Sequence, residues 1–212
     1  MGDFAKYSQA TRSREIVAVI ESIPAQQARE SKRFKPADVI HGSRFAVLRN
    51  AVDWLTGAGI AFKVFIANSG ELPFSAFTKE NNFKLYLADI GLLGALARLS
   101  PQALLLHNDL FATFKGAFCE NFVAQEFVAA GSGPLFAWKS NTAEVEFIRE
   151  IDGKVIPVEV KSGLSGKLKS LNVFADRYKT DYRVRISAHN LELNTQSKLH
   201  SYPLYLAGRL PL

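Results

Sequence analysis

The chain has a single cysteine, Cys119, so no intrachain disulfide can form and no cysteine cluster can hold zinc. Cys119 lies in an apolar run and reads as a small buried hydrophobe rather than a reactive thiol. No apolar run approaches the roughly 18 to 20 residues needed to cross a bilayer. The opening residues, Met1-Gly2-Asp3-Phe4-Ala5-Lys6, lack the apolar core of a signal peptide, so a cytoplasmic location without a membrane partner is expected. A G-x-x-x-x-G-K-[ST] loop is missing, which removes the usual means of cradling ATP phosphates, so no ATP site is expected. The four histidines, His41, His107, His189 and His200, are isolated and form no H-E-x-x-H pair; a G-x-S-x-G nucleophile elbow is also missing.

What is present is ordinary globular composition: 212 residues, 48% hydrophobic and 22% charged. That length suits one large domain or two small ones. The net charge of +6 makes nucleic acid a candidate partner, although net charge speaks to association and not to fold. The positive residues cluster between Arg12 and Arg49 and again between Lys161 and Arg185. Either group serves equally well as a solvated face.

The first half reads as helices followed by strands. Ile16, Val17, Val19 and Ile20 give an apolar stripe that is expected to stop at Ile23-Pro24, because proline cannot continue a helix. A second short helix is expected over 25–30. The spacing of Phe45, Leu48, Val52 and Leu55 predicts a third, with Ser43 as N-cap and Gly57 and Gly59 as its end. Strands are expected over 60–67 and 83–88, then a leucine-rich helix over 92–99. Three helices followed by two strands is the order of a winged helix, a fold that serves both DNA binding and protein interaction.

The second half centres on Glu144 to Lys161. Asp152-Gly153 tolerates the positive φ of a two-residue type I′ turn, so Ile151 should pair with Lys154 and each cross-strand pair should sum to 305. Glu146 then faces Glu159, and Glu144 faces Lys161, all on one side. Val145, Phe147, Ile156, Val158 and Val160 are expected on the other side as core. Two glutamates facing each other repel. A divalent cation, Mg²⁺ or Mn²⁺, would relieve that repulsion, and Lys161 could contact a phosphate or the attacking water. Pro157 raises the possibility of a bulge that shifts this register. A helix over 114–128 precedes the hairpin, with a strand over 135–138 between them. A helix containing Leu171 and Phe174 and a strand over 182–187 follow. That αβββαβ order, a mixed sheet flanked by helices, is the core of the PD-(D/E)xK nuclease superfamily.

Particular segments extend this likeness. They are Gly116-x-x-x-Glu120-Asn121-Phe122-Val123, Glu144-Val145-Glu146-Phe147, Ile156-Pro157-Val158-Glu159-Val160-Lys161-Ser162-Gly163 and Tyr202-Pro203-Leu204-Tyr205. In the first half, Ala51-x-x-Trp54-Leu55-x-x-Ala58-Gly59 and Phe83-Lys84-Leu85-Tyr86-x-x-Asp89-x-Gly91-Leu92-Leu93 add to them. Together they resemble the prokaryotic AAA-type P-loop ATPases that carry a C-terminal domain of unknown function related to PD-(D/E)xK nucleases. The resemblance implies an α+β or α/β chain with a winged-helix-like domain over 1–105 and a nuclease-like domain over 106–212. It also implies an ATPase domain or protein partner outside this chain, which would be the C-terminal part of a longer protein or of one that lost its ATPase. Carried over residue by residue, the family motif gives Glu146, Glu159 and Lys161 as catalytic residues. It gives Glu120, Glu146 and Glu159 as metal ligands. The family usually has aspartate where Glu146 stands, and the extra methylene moves the carboxylate by about 1.5 Å.

Two functions are expected from these residues. One is a Mg²⁺- or Mn²⁺-dependent endonuclease acting on DNA phosphodiesters. The other is a catalytically inactive DNA-binding or protein-interaction module for an ATPase, keeping the nuclease fold as scaffold.

Overall fold

The computed structural model of the protein describes residues 10–100, 102, 112–141 and 143–211. Two compact units emerge: Met1–Lys63 with Phe83–Phe114, and Val64–Asn82 with Lys115–Leu212. The expected boundary at 105–106, like His107, lies outside the described residues.

In the first unit, helix α1 (Ala10–Gln27) buries Ile16, Val19, Ile20 and Ile23, whose spacing of three and four places them on one face. The expected stop at Pro24 does not occur: α1 runs through it for another turn, and no separate helix forms over 25–30. Proline removes one backbone donor, but side chains brace the turn around it. Ser22 Oγ donates to the Val19 carbonyl (2.7 Å), Gln26 Nε2 donates to Ser22 Oγ (2.9 Å), and Gln27 Nε2 donates to the Leu85 carbonyl (3.0 Å). The Pro24 carbonyl still accepts from Ala28 N–H at 3.0 Å. After a short 3-10 turn (Pro36–Asp38) comes helix α2 (Phe45–Gly57), which buries Leu48, Ala51, Val52 and Leu55 against α1. Its N-cap is Arg44 rather than Ser43, with no side-chain capping bond.

The end of α2 follows the expectation. Gly59 takes φ +69°, Ile60 N–H reaches the Leu55 carbonyl (3.0 Å) and Gly59 N–H the Thr56 carbonyl (3.1 Å). This is a Schellman closure, which needs the left-handed conformation that glycine adopts without strain. Strand β1 (Ala61–Ala67) begins in the first unit and enters the second at Val64. Strand β2 (Phe83–Leu87) and helix α3 (Ile90–Leu96) complete the first unit. Asp89 caps α3, its carboxylate accepting from Leu92 N–H at 2.7 Å. Phe83 holds the unit together, stacked on Phe34 (5.3 Å between ring centroids) and edge-on to Phe45 (5.5 Å).

The second unit presents a helix, three strands, a helix and a strand in that order. These are α4 (Ala112–Ala129), β3 (Leu135–Lys139), β4 (Glu144–Ile151), β5 (Lys154–Val160), α5 (Lys169–Tyr178) and β6 (Arg183–Ser187). Two further strands, β7 (Glu192–Asn194) and β8 (Leu199–Pro203), were not read from the sequence. The sheet is mixed, and the strands that reach this unit follow the order β1-β3-β4-β5-β6-β8-β7 within it. The β1/β3, β5/β6 and β6/β8 pairs are parallel; β3/β4, β4/β5 and β7/β8 are antiparallel. One consequence positions the site. The C-terminal ends of β1, β3, β5, β6 and β8 and the N-terminal end of β4 all lie along the same edge of the sheet.

Helix α5 covers part of this sheet through Leu171 and Phe174, which pack with Trp138, Val145 and Ile148. Trp138 stands edge-on to Phe174 (5.0 Å) and Tyr178 (6.0 Å), and its Nε1 donates to the Tyr178 hydroxyl at 3.3 Å. Gly70 lies against the same aromatic pair. Arg149 spreads over the Phe127 ring of α4 at 4.6 Å and donates to the Leu210 carbonyl (3.0 Å) and Ser132 Oγ (2.8 Å). Burial lowers its pKa, and its two hydrogen bonds tie β4 to the chain at Ser132 and Leu210. No helix among the described residues is long and apolar enough to cross a membrane.

Candidate functional site

The β4–β5 hairpin forms in the expected register. Ile151 pairs with Lys154, and the ladder continues through Glu150↔Val155, Arg149↔Ile156 and Ile148↔Pro157 to Phe147↔Val158. Asp152 (φ +51°) and Gly153 (φ +74°) make the two-residue turn with both φ angles positive. Pro157 causes no bulge. The β5–β6 ladder starts one residue later, at Val158↔Val184, so the donor that Pro157 lacks is not needed on that side.

The irregularity lies elsewhere, on β4 against β3. Phe136 pairs with Ile148 and Trp138 with Val145, so Glu146 and Phe147 together face Ala137. An extra residue of this kind bends the strand and re-aims a side chain. It corrects the expected two-faced hairpin. Val145 joins Ile148, Trp138 and Phe174 in one apolar cluster, whereas Phe147 stands edge-on to Phe127 of α4 at 5.4 Å. Glu144 does not join Lys161 either: its Oε2 is 2.7 Å from Lys139 Nζ on the neighbouring β3.

The remaining candidates gather around Lys161. Glu159 is only 4% exposed, on a strand whose neighbouring Val158 and Val160 are buried as well. Its Oε1 accepts from Lys161 Nζ, and its Oε2 is buried with no hydrogen-bond partner among the described residues. Glu120 comes from α4 and is 5% exposed; Glu146 comes from the bulge and is half-buried. Burial is the largest single influence on the Lys161 ammonium and by itself lowers its pKa. The charge of Glu146, the hydrogen bond and charge of Glu159 and the charge of Glu120 together outweigh it, so the pKa is raised. Three carboxylates from three elements therefore act on one ammonium. Cys119, beside Glu120, has its thiol pushed up to about 11, chiefly by burial, which disfavours the thiolate.

Two neighbours were not singled out in the sequence. Gly166 packs against the Lys161 side chain: a Cβ there would stand 2.9 Å from Lys161 Cδ. Arg185 is the ladder partner of Glu159 on β6, and its Nη2 donates to Ser201 Oγ on β8 at 2.7 Å. Ladder partners share a face, so Glu159, Arg185 and Ser201 form a row across three strands. The alternation Arg183-Val184-Arg185-Ile186 carried that signal, but pairing it with Glu159 required the parallel register.

The donor set has the chemistry of a hard-cation site. Among the described residues no three His, Cys, Asp or Glu side chains stand close enough to hold a metal on their own. Magnesium-type ions need less, since one or two carboxylates suffice when water and substrate phosphate complete the octahedron. A buried carboxylate oxygen without a partner, at Glu159, fits that requirement. The β4–β5 ladder ends at Phe147↔Val158, one residue short of Glu146 and Glu159, and the charge of Glu146 acts on the same Lys161 ammonium that Glu159 binds.

Residues 115–205 match the family model described as Domain of unknown function (DUF4143), and residues 1–103 match that described as Domain of unknown function (DUF8612). No curated protein and no solved structure matches the chain. Glu120, Glu146, Glu159 and Lys161 all fall within the residues that match DUF4143.

Proposed function

We propose that the second unit is a PD-(D/E)xK-like domain that hydrolyses DNA phosphodiesters with Mg²⁺ or Mn²⁺. The observation that carries this reading is the convergence of Glu120, Glu146 and Glu159 on Lys161 at the strand-end edge of the sheet. The helix–three strands–helix–strand order supports the same fold reading. Glu159 and Glu146 would hold the cation, and the buried Glu120 would add a third negative charge nearby. A cation bound there supplies polarisation of a phosphoryl oxygen and a bound water of lowered pKa. Lys161, paired with Glu159 in this structure, would supply its ammonium to a scissile phosphate oxygen. Arg185, beside Glu159, adds a second positive charge to the same face. The first unit, read as winged-helix-like, and an ATPase partner outside this chain would position the DNA, in a cytoplasmic setting.

Incubation with Mn²⁺ and single-stranded, double-stranded and branched DNA tests this reading. Cleavage by the wild type, lost in Glu159→Gln and Lys161→Ala with folding retained, is the expected result. Intact DNA in all three cases overturns it.

A second reading has its own support. The Lys161–Glu159 ion pair already satisfies one carboxylate oxygen, and Glu146 is one methylene longer than the aspartate expected there. Lys161 would then stand in place of the cation, and the domain would serve as an inactive DNA-binding or protein-interaction module.

A further inference from the structure

A second feature lies on the same sheet edge, wholly within the second unit. A cavity of about 410 Å³ opens at the C-terminal ends of β1 and β3, floored by Ile66 and Ala67. Its walls are Asn68, Asn82, Lys139, Ser140, Asn141 and Arg177. Two of these are cationic, three are carboxamides and none is acidic.

Several of these groups are uncommitted. Arg177 stacks its guanidinium over the Tyr178 ring at 5.3 Å, and among the described residues it makes no ion pair or hydrogen bond. The side chains of Asn68 and Asn141 likewise make no hydrogen bond among the described residues. Asn82 and Ser140 are anchored. Asn82 Nδ2 donates to the Ile66 carbonyl (3.0 Å), and Ser140 Oγ accepts from Ala143 N–H (3.2 Å). Lys139 is shared with Glu144. Such a wall has a planar five-donor fork for an oxyanion and amide groups that both donate and accept. The volume is that of a small-molecule site, about 300 Å³ or more, and exceeds what an isolated anion fills.

We propose that this cavity binds a nucleotide unit, with its phosphate on Arg177 and Lys139 and its base edge on the Asn68 and Asn141 carboxamides. Carboxamides match base edges because each presents a donor and an acceptor side by side. Nucleotide chemistry reaches the cavity either as a free nucleotide or as part of a strand. Its position favours the strand: β3 and β5 are two strand spacings apart, about 10 Å, so the cavity and Glu159 lie within reach of one chain. The inference concerns binding alone and stands or falls without any cleavage.

The test is fluorescence anisotropy of the full chain with a labelled single strand of about fifteen nucleotides, in the range of single-strand site sizes. EDTA is present, so the carboxylates hold no metal. Arg177→Gln and Asn141→Ala are compared with Lys154→Ala, which removes an equal charge at the far end of β5. The proposal expects Arg177→Gln to weaken binding about tenfold and to lower the salt slope by about 0.7, one single-strand phosphate contact. Asn141→Ala should weaken binding with the salt slope unchanged, and Lys154→Ala should match wild type. Displacement of the strand by a deoxynucleoside monophosphate assigns the site to free nucleotides; resistance to it assigns the site to a strand. Wild-type binding by both cavity variants, or an equal loss in Lys154→Ala, overturns the proposal. Cleavage with Mn²⁺ alongside an unaffected Arg177→Gln would overturn the cavity and spare the nuclease reading. Cavity-dependent binding without cleavage would do the reverse.

Discussion

Replacing Lys161 with methionine isolates the forces in the carboxylate cluster. The substitution keeps an unbranched stem of the same length as far as Cε, the part that packs on Gly166, and removes the ammonium with its charge and its hydrogen bond to Glu159. Glu159, with its side chain 5% exposed, then keeps a buried charge without its counter-ion. Removing one partner of a buried pair costs about 3 to 5 kcal/mol. Because the Lys161 side chain is 25% exposed, water already screens part of the pair, and about 2 to 3 kcal/mol is the expected loss in urea unfolding at pH 7. Adding Glu159→Gln should recover much of it, since the buried charge is gone. Mn²⁺ should also restore stability in Lys161→Met, by about 2.7 kcal/mol at a hundred times its Kd, because cation and ammonium compete for the same oxygens. The pH dependence has a definite sign. The folded pKa of Lys161 is raised, so the wild-type advantage is full below the unfolded value near 10.5 and fades as pH climbs through the folded one. A loss under about 0.5 kcal/mol, or a double variant no more stable than Lys161→Met, would refute this reasoning.

Two further outcomes test the packing around the site. Gly70→Ala places a methyl 2.5 Å from Phe174 Cζ and 2.9 Å from Tyr178 Cδ2, so both rings must move; a loss of about 1 to 3 kcal/mol is expected in urea unfolding. With its thiol pKa near 11, Cys119 should be alkylated by iodoacetamide at pH 8 roughly two hundred-fold more slowly than a free cysteine, followed by mass spectrometry of native protein.

Much of the second unit was legible because local rules decide it. Asp152-Gly153 set the turn, the turn set the pairing from Ile151↔Lys154 to Phe147↔Val158, and alternation put Val158 and Val160 in the core. The bulge at Glu146-Phe147 was not legible, since it arises from the fit of β4 to β3, a pairing that no local signal on β4 announces. For the same reason Glu144 was assigned to Lys161 and found with Lys139. Pro24 misled in the first unit because the bonds that brace α1 around it come from side chains and from β2, distant in sequence. Strands β7 and β8 were missed because Glu192-Leu193-Asn194 is short and polar, and β8 is identified as a strand by its pairing with β6. Arg177 and Asn68, 109 positions apart, meet only through the sheet.

The central claim is that the Glu146–Glu159 pair takes a divalent cation. Titration of the intact chain with Mn²⁺, followed by the loss of the free-ion electron paramagnetic resonance signal, tests it most directly. The account predicts one ion bound per chain in wild type, tighter binding in Lys161→Met and no binding in Glu159→Gln. Undiminished free-ion signal in wild type, or equal binding in Glu159→Gln, would contradict it.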